Sequence, residues 1–483
     1  MGRSRLRLQN PWWRDVTLIR SDDLILAFEN SKCRWFPELN IALDRDIIYS
    51  LRGPRQVGKT TYIKVAVMRL LEMGVEPRNV LYLYGEVFAD WRELLESLEY
   101  YLKNVRSGRA YIFIDEISAV HDWPRAIKYL YDVGLLRRDF VLLCGSHAMD
   151  VVRGVELLPG RRGEYEERPD YVLLPMVFAE YVGTVKPELM SEINREVNLS
   201  SLESALESLY SFHSDLRGLF ERFIVGGGFP HAQDKLLSSN SIPKRLYDDF
   251  IAYVKGDAHR ERVSVTAMLQ TGRRIIETMS STISWRSLSH GTDYNYETIQ
   301  RVAEFLRAAF VLEVIYQPKI ARGVLFPDFR RDKKIYFIDP FILYAFDIWT
   351  TGSQSAFNTI DRWARERELR GKLVECIILR HLIEFLMRKK FSEEPLMNIF
   401  YARKNNREID FIALGKSILF IESKLKRKRE LYTPMGISHG KRAYIIMTSE
   451  DEFERRNGLL IAPLPEFLMV LSHRRMAKIL ALI

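Results

Sequence analysis

Residues Gly53-Pro54-Arg55-Gln56-Val57-Gly58-Lys59-Thr60 fit G-x-x-x-x-G-K-[ST] at every fixed position. No other stretch constrains the fold as tightly. The apolar run Ile47 to Leu51 precedes it and reads as a buried strand. Thr60 to Leu71 follows as a helix with Ile63, Val67, Leu70 and Leu71 on one face. Strand, glycine loop and helix together make an anion site. Glycines let backbone N–H groups turn inward around phosphate oxygens, and the helix N-terminus adds the positive end of its dipole. Gly53, Pro54, Arg55, Gln56, Val57 and Gly58 would form the cradle, and Lys59, Thr60 and Thr61 would open the helix. Lys59 is expected to reach the β- and γ-phosphates, and the Thr60 hydroxyl to ligate Mg²⁺. The bland alternative is an ordinary glycine-rich turn, which the two flanks disfavour. The expected cofactors are therefore ATP and Mg²⁺.

From Ile47 onward strand and helix signals alternate, the pattern of a parallel α/β sheet. Val80 to Tyr84 is the next strand, and Trp91 to Val105 an amphipathic helix. Ala110-Tyr111-Ile112-Phe113-Ile114-Asp115-Glu116 is an apolar strand ending in two carboxylates. Asp115 would hold Mg²⁺, directly or through water, and Glu116 would polarise an attacking water. A helix from Trp123 to about Leu135 precedes Phe140 to Ser146, another buried strand. Ser146 is the candidate γ-phosphate sensor, with His147 beside it; an ordinary strand-to-loop serine is the alternative. In Pro159-Gly160-Arg161-Arg162-Gly163, Arg161 is the candidate charge-stabilising arginine, against the readings that these arginines are solvated or grip DNA phosphates. Upstream, Trp12, Trp13 and Trp35 either stack on a base or pack the lead-in against its domain, and packing is the preferred reading.

These stretches together resemble the archaeal and bacterial AAA-type P-loop ATPases. The resemblance rests on Gly53–Thr60, Ile114-Asp115-Glu116, Leu143-Cys144-Gly145-Ser146, Gly160-Arg161 and Pro175-x-x-Phe178-x-Glu180-Tyr181. It continues through Gly227-Gly228-Phe229-Pro230 and Lys334 to Asp339. It implies an α/β fold with a P-loop core at 46–183 after a lead-in at 1–45. It further implies a helical lid at 184–280, a winged helix at 281–345, a linker at 346–365, and a restriction-endonuclease-like domain at 366–483. In the winged-helix segment Trp285 starts one helix. Tyr296 to Ala308 makes a second, which presents Gln300, Arg301 and Arg307 outward, to DNA or merely to solvent.

The last segment carries a second constellation. A helix opens at Gly371 and bears Glu375. A hairpin follows with Asp410 on Glu408 to Leu414, and then Glu422-Ser423-Lys424 ends the next strand. This is a PD-(D/E)xK layout with Ile409 in place of the usual proline. Glu375, Asp410 and Glu422 would bind a divalent metal, Mg²⁺ or Mn²⁺, because hard cations take oxygen ligands. Period-two alternation puts Glu422 and Lys424 on one strand face, where Lys424 could activate a metal-bound water. The basic run Lys424 to Arg429 suits a grip on a nucleic-acid backbone. The alternative is that Glu-x-Lys and Asp-x-Phe pairs are ordinary exposed strand charges.

Composition bounds the rest. With 483 residues several domains are expected. The formal charge of +9 and a pI near 9.2 favour a polyanionic partner, though a generally basic surface fits almost as well. Cys33, Cys144 and Cys376 are odd in number and in no metal-ligand spacing, so a reducing cytoplasm is expected. No stretch is apolar enough for a membrane span. The expectation is an ATPase acting on DNA (branched or single-stranded forms included), with a homo-oligomer among the expected states and a nuclease-like C-terminal domain. Two alternatives stand beside it: a nucleotide-switched regulator that binds DNA or protein without cutting, and a branched-DNA translocase.

Overall fold

The computed structural model describes residues 2–145, 151, 154–165, 168–321, 324–387, 398–404, 407–423, 443–456 and 459–482. They divide into two compact units, one ending at Leu174 and the other beginning at Pro175.

The first unit is built on five parallel strands: β1 (Ile48–Arg52), β2 (Val80–Tyr84), β3 (Tyr111–Asp115), β4 (Phe140–Cys144) and β5 (Asp170–Val172). Their spatial order is β2-β3-β4-β1-β5. Every residue of β1 and of β4 is buried. Strands apolar on both faces need helices on both faces, which is the condition a parallel sheet meets. β4 therefore lies between the strand that feeds the glycine loop and the strand that ends in Asp115. β5 was not anticipated. It follows a charged stretch, and only Tyr171 to Leu174 carried an apolar signal.

The helices of this unit include α1 (Gly2–Gln9), α2 (Asp23–Asn30), α3 (Lys59–Glu72), α4 (Trp91–Asn104) and α5 (Pro124–Asp132). The Asp90 side chain caps α4 by accepting from the Arg92 and Glu93 N–H groups. The lead-in covers the open edge of β2, which would otherwise present unpaired backbone groups. Asn10 donates to Tyr82 O at 2.9 Å and accepts from Tyr82 N at 2.6 Å. The indoles of Trp12 and Trp13 both donate to Val80 O. The tryptophans thus pack the lead-in against its own sheet.

The second unit begins with helices that run from Phe178 to Thr278. Shorter helices Trp285–Ser289 and Tyr296–Ala308 follow, then β6 (Leu312–Tyr316), the hairpin β7 (Pro318–Ala321) and β8 (Val324–Pro327), and β9 (Lys333–Phe337). Among the described residues three further helices precede β10 (Ile399–Lys404), β11 (Arg407–Leu414), β12 (Ile418–Ser423), β13 (Ala443–Ser449), β14 (Glu454–Arg456) and β15 (Leu459–Pro463). One sheet runs β14-β15-β13-β12-β11-β10-β6-β9. Strands expected in two separate domains therefore share a sheet, joined where Phe400 of β10 pairs with Tyr316 of β6. The expected linker at 346–365 is a correction. It is mostly helical, within Pro340–Thr351 and Ala356–Arg365, with Phe346, Ile348 and Trp363 buried. The polar stretch Thr350 to Ser355 hid the helical spacing on either side of it, and the Trp363 indole donates to Asp347 at 2.7 Å.

The stretches that carried the family resemblance in this unit lock to one another. Arg380 donates to Pro175 O at 2.6 and 3.0 Å, and the Phe178 N–H donates to His381 Nε2 at 2.8 Å. Met176 N donates to Gly228 O, and Gly228 N donates to Asp339 Oδ2, each at 2.8 Å. A Cβ on Gly227 would sit 2.2 Å from Asp339 Oδ1, so only glycine fits there. Their role in this arrangement is packing.

Candidate active site

The glycine loop is fixed at both ends by positions that exclude a side chain. Gly53 has φ +152°, and a Cβ there would meet Leu173 O at 2.0 Å. Gly58 has φ +105° and forms the N-cap of α3. Between them Gln56 adopts φ +61° and Val57 is fully buried. The Lys59 ammonium donates to Gly53 O at 2.9 Å and to Pro54 O at 2.8 Å. Burial pulls its pKa below the usual lysine value, although the nearby Glu116 charge opposes that shift.

Asp115 is fully buried at the end of β3. Burial pushes its carboxyl above the usual range, against hydrogen bonds from the Thr60 hydroxyl and the Cys144 thiol. The Tyr82 hydroxyl lies 3.3 Å from Asp115 Oδ2, and the Glu116 N–H donates to Oδ1 at 3.1 Å. Thr60 and Asp115 are thus brought together, and their oxygens fit a hard divalent cation beside the loop. Glu116 follows with φ +48°. Its Oε1 pairs with the Arg55 guanidinium at 3.2 Å. Sequence reasoning placed Asp115 and Glu116 but missed Tyr82, Cys144 and the Arg55 pairing. Only contact geometry links those residues.

Ser146 and His147 lie outside the described residues. Arg161 lies away from the glycine loop of its own chain. Its Nε bonds Asp132 Oδ1 at 2.6 Å and its NH1 bonds Pro159 O. The next residue, Arg162, is buried against Ile48 O and Asp170 at the start of β1. The glycine loop leaves the other end of β1, about 16 Å along a strand of that length. Arg161 therefore does not meet its own chain's phosphate loop.

In the second constellation Lys424 and the basic run after it lie outside the described residues. Glu422 is buried on β12. The β11–β12 ladder ends at Phe411–Ile421, so Asp410 and Glu422 are the next opposed positions. Glu375 and Asp410 do converge, and what lies between them is Lys334 of β9. Its ammonium is 2.6 Å from Glu408 Oε1, 3.2 Å from Asp410 Oδ1 and 3.8 Å from Glu375 Oε2. The Glu408 contact is a charge pair without hydrogen-bond alignment. Burial alone would lower the Lys334 pKa, but Tyr336 and the three carboxylates outweigh it and push it well up. Glu375 is raised to about 7, first by burial and then by Asp410. Its Oε2 accepts from the Tyr336 hydroxyl at 2.6 Å, and Asp410 Oδ2 accepts from Ser423 N and Oγ. These carboxylate oxygens are engaged by protein donors, an arrangement that does not fit a divalent metal. Among the described residues no group of three or more His, Cys, Asp or Glu side chains is arranged to hold one.

The outward residues of the helix Tyr296–Ala308 are tied within the chain. Gln300 bonds Glu304, Arg301 bonds Glu261 O, and Arg307 pairs with the buried Glu313. No described helix is long and apolar enough to cross a membrane.

Residues 45–182 match the family model of the AAA domain. That match spans the glycine loop and all five strands of the first unit, whose parallel sheet fits a P-loop ATPase-like core. Residues 217–352 match a domain of unknown function, DUF8612. Over 391 residues the chain is 22% identical to an uncharacterized protein, MJ1544, of Methanocaldococcus jannaschii, covering 79% of this chain and 75% of that one. Among solved structures it is similar to a Walker-type ATPase, PABY2304, of Pyrococcus abyssi. That match has 13% identity and a TM-score of 0.39, covering 67% and 93% of the two chains. A RuvB variant of Thermotoga maritima matches at 14% identity and TM-score 0.25, covering 65% and 89%.

Proposed function

We propose that the chain is an ATP-hydrolysing AAA-type switch that acts on DNA, and that its C-terminal sheet grips its partner without cutting. The observation that supports hydrolysis is the meeting of Thr60, Asp115 and Glu116 beside Lys59 at the glycine loop. Lys59 and the loop N–H groups would hold the phosphates, and Thr60 and Asp115 would hold Mg²⁺. Bound there, Mg²⁺ would neutralise charge on the phosphate oxygens. Glu116 would orient the water, its backbone fixed by the Asp115 contact to its N–H.

DNA as partner is supported by the +9 charge and by the basic run after Glu422. A Mg²⁺- or Mn²⁺-dependent nuclease through Glu375, Asp410, Glu422 and Lys424 is the second reading. It is favoured by the order of those residues and by the convergence of Glu375 with Asp410. Lys334 and the hydroxyl donors on their oxygens weigh against it. The winged-helix reading of 281–345 is supported by a pair of helices followed by β6, a hairpin and β9.

The test uses labelled linear, single-stranded and four-way-junction DNA, with Mg²⁺ or Mn²⁺, with and without ATP. The non-cutting reading predicts salt-sensitive, ATP-dependent binding and intact DNA. Metal-dependent products that vanish in Lys424→Ala would establish the nuclease instead. A strong preference for junctions together with ATP-driven movement would establish a translocase. Light scattering with and without ATP tests for a homo-oligomer.

A further inference from the structure

Arg55 is the arginine at the mouth of the glycine loop. It sits between Pro54 and Gln56, and the left-handed turn at Gln56 fixes the direction of the backbone there. Its NH1 lies 3.2 Å from Glu116 Oε1, and the two side chains are only 14% and 11% exposed. Glu116 is held at the backbone from two sides. Asp115 Oδ1 accepts its N–H, and Gly85 passes so close that a Cβ there would be 2.4 Å from Glu116 O. A water-orienting carboxylate stands one hydrogen bond from the water, and the water stands one short contact from the phosphorus it attacks. A guanidinium that already touches this carboxylate is one side-chain rotation from the terminal phosphate oxygens. Those oxygens are strong partners for a guanidinium, which binds phosphate through paired N–H donors.

We propose that Arg55 is a catalytic residue of this chain's own site, taking the charge-stabilising role there, since Arg161 lies at the opposite end of β1 from its own chain's loop. It would leave Glu116 for the oxygens of the transferring phosphoryl group. That move neutralises charge as the bond to the leaving phosphate breaks, and it frees Glu116 for the water. The inference rests on the hydrolytic reading above and names one more residue in it.

The experiment compares the full chain with Arg55→Ala, Arg55→Lys and Lys59→Ala. It reads ATP turnover, affinity for a fluorescent ATP analogue, and trapping of ADP with aluminium fluoride, which mimics the transferring phosphoryl group. Arg55→Ala should lose turnover by roughly 10³-fold, the scale of such arginines. It should keep nucleotide affinity within about threefold of wild type and lose the aluminium fluoride complex. Arg55→Lys should recover only part of the turnover, because a point charge replaces a fork. Turnover of Arg55→Ala that matches or exceeds wild type would overturn the proposal. So would loss of nucleotide binding as complete as in Lys59→Ala, which would mark Arg55 as a loop-shaping residue. If wild type fails to hydrolyse ATP but traps ADP–aluminium fluoride through Arg55, the hydrolytic reading fails and the placement of Arg55 stands.

Discussion

Replacing Lys334 by methionine tests what the charged cluster of the second unit is for. The side chain is 1% exposed, and three carboxylate oxygens lie 2.6, 3.2 and 3.8 Å from its ammonium. At an effective dielectric near 20, each such contact is worth about 4–6 kcal/mol of gross attraction. Desolvation of the ammonium cancels much of this, so the whole is far smaller than the sum. What matters on deletion is the remainder, uncompensated carboxylates at a buried site, which costs about 3–5 kcal/mol. Glu375 is already raised to about 7, so it takes up a proton when the ammonium goes. The loss should therefore be largest near pH 8 and smaller near pH 6. Urea unfolding of the full chain at both pH values reads this out. Calorimetric titration with Mn²⁺ reads the second consequence. Wild type should bind none at this cluster, because Tyr336 and Ser423 donors already engage its carboxylate oxygens. Wild-type Mn²⁺ binding that disappears in Asp410→Asn, together with a Lys334→Met cost under about 1 kcal/mol, would refute the reasoning and restore the metal site.

Three further outcomes follow from the same geometry. Gly53→Ala should abolish nucleotide binding, measured by fluorescence titration, because a Cβ cannot sit 2.0 Å from Leu173 O. Asn10→Ala should cost about 2–3 kcal/mol in urea unfolding, because it strands the N–H and C=O of Tyr82 on the edge of β2. Burial lowers His381 from 6.5 to about 3. Between those values the unfolded chain binds the extra proton, so stability is present above about pH 6.5 and is lost as pH falls toward 3. The slope should reach about 1.4 kcal/mol per pH unit, and His381→Gln should flatten it in urea midpoints taken from pH 7 to pH 4.5.

The phosphate loop was legible because its requirements are local. Gly53, Gly58, Lys59 and Thr60 stand at fixed spacing, with a buried strand before them and a helix after. Asp115 and Glu116 were legible for the same reason, as polar residues closing an apolar run. The packing of Trp12 and Trp13 followed from what aromatic lead-ins commonly do, but the pairing of Asn10 with the edge of β2 did not, since one asparagine carries no periodic signal. The place of Arg161 was not legible because glycine-flanked arginines look alike at either end of a parallel sheet, and which end depends on where the chain turns into β5. Lys334 misled more deeply. In the sequence it is one residue of a strand, 76 positions from Asp410. Only the merging of β6 and β9 with the C-terminal strands brings it to the carboxylates. The helices at 340–365 were missed because Gly352 to Ser355, between them, reads as a loop, and only Ile360 and Trp363 mark the buried face of the second.

The central claim is that Glu116 activates water for ATP hydrolysis at a loop whose binding depends on Lys59. Its most direct test is steady-state ATP turnover with parallel nucleotide affinity for wild type, Glu116→Gln and Lys59→Ala. The account predicts turnover in wild type, a fall of roughly 10²-fold or more in Glu116→Gln with ATP still bound, and neither binding nor turnover in Lys59→Ala. Wild-type rates in Glu116→Gln would contradict it.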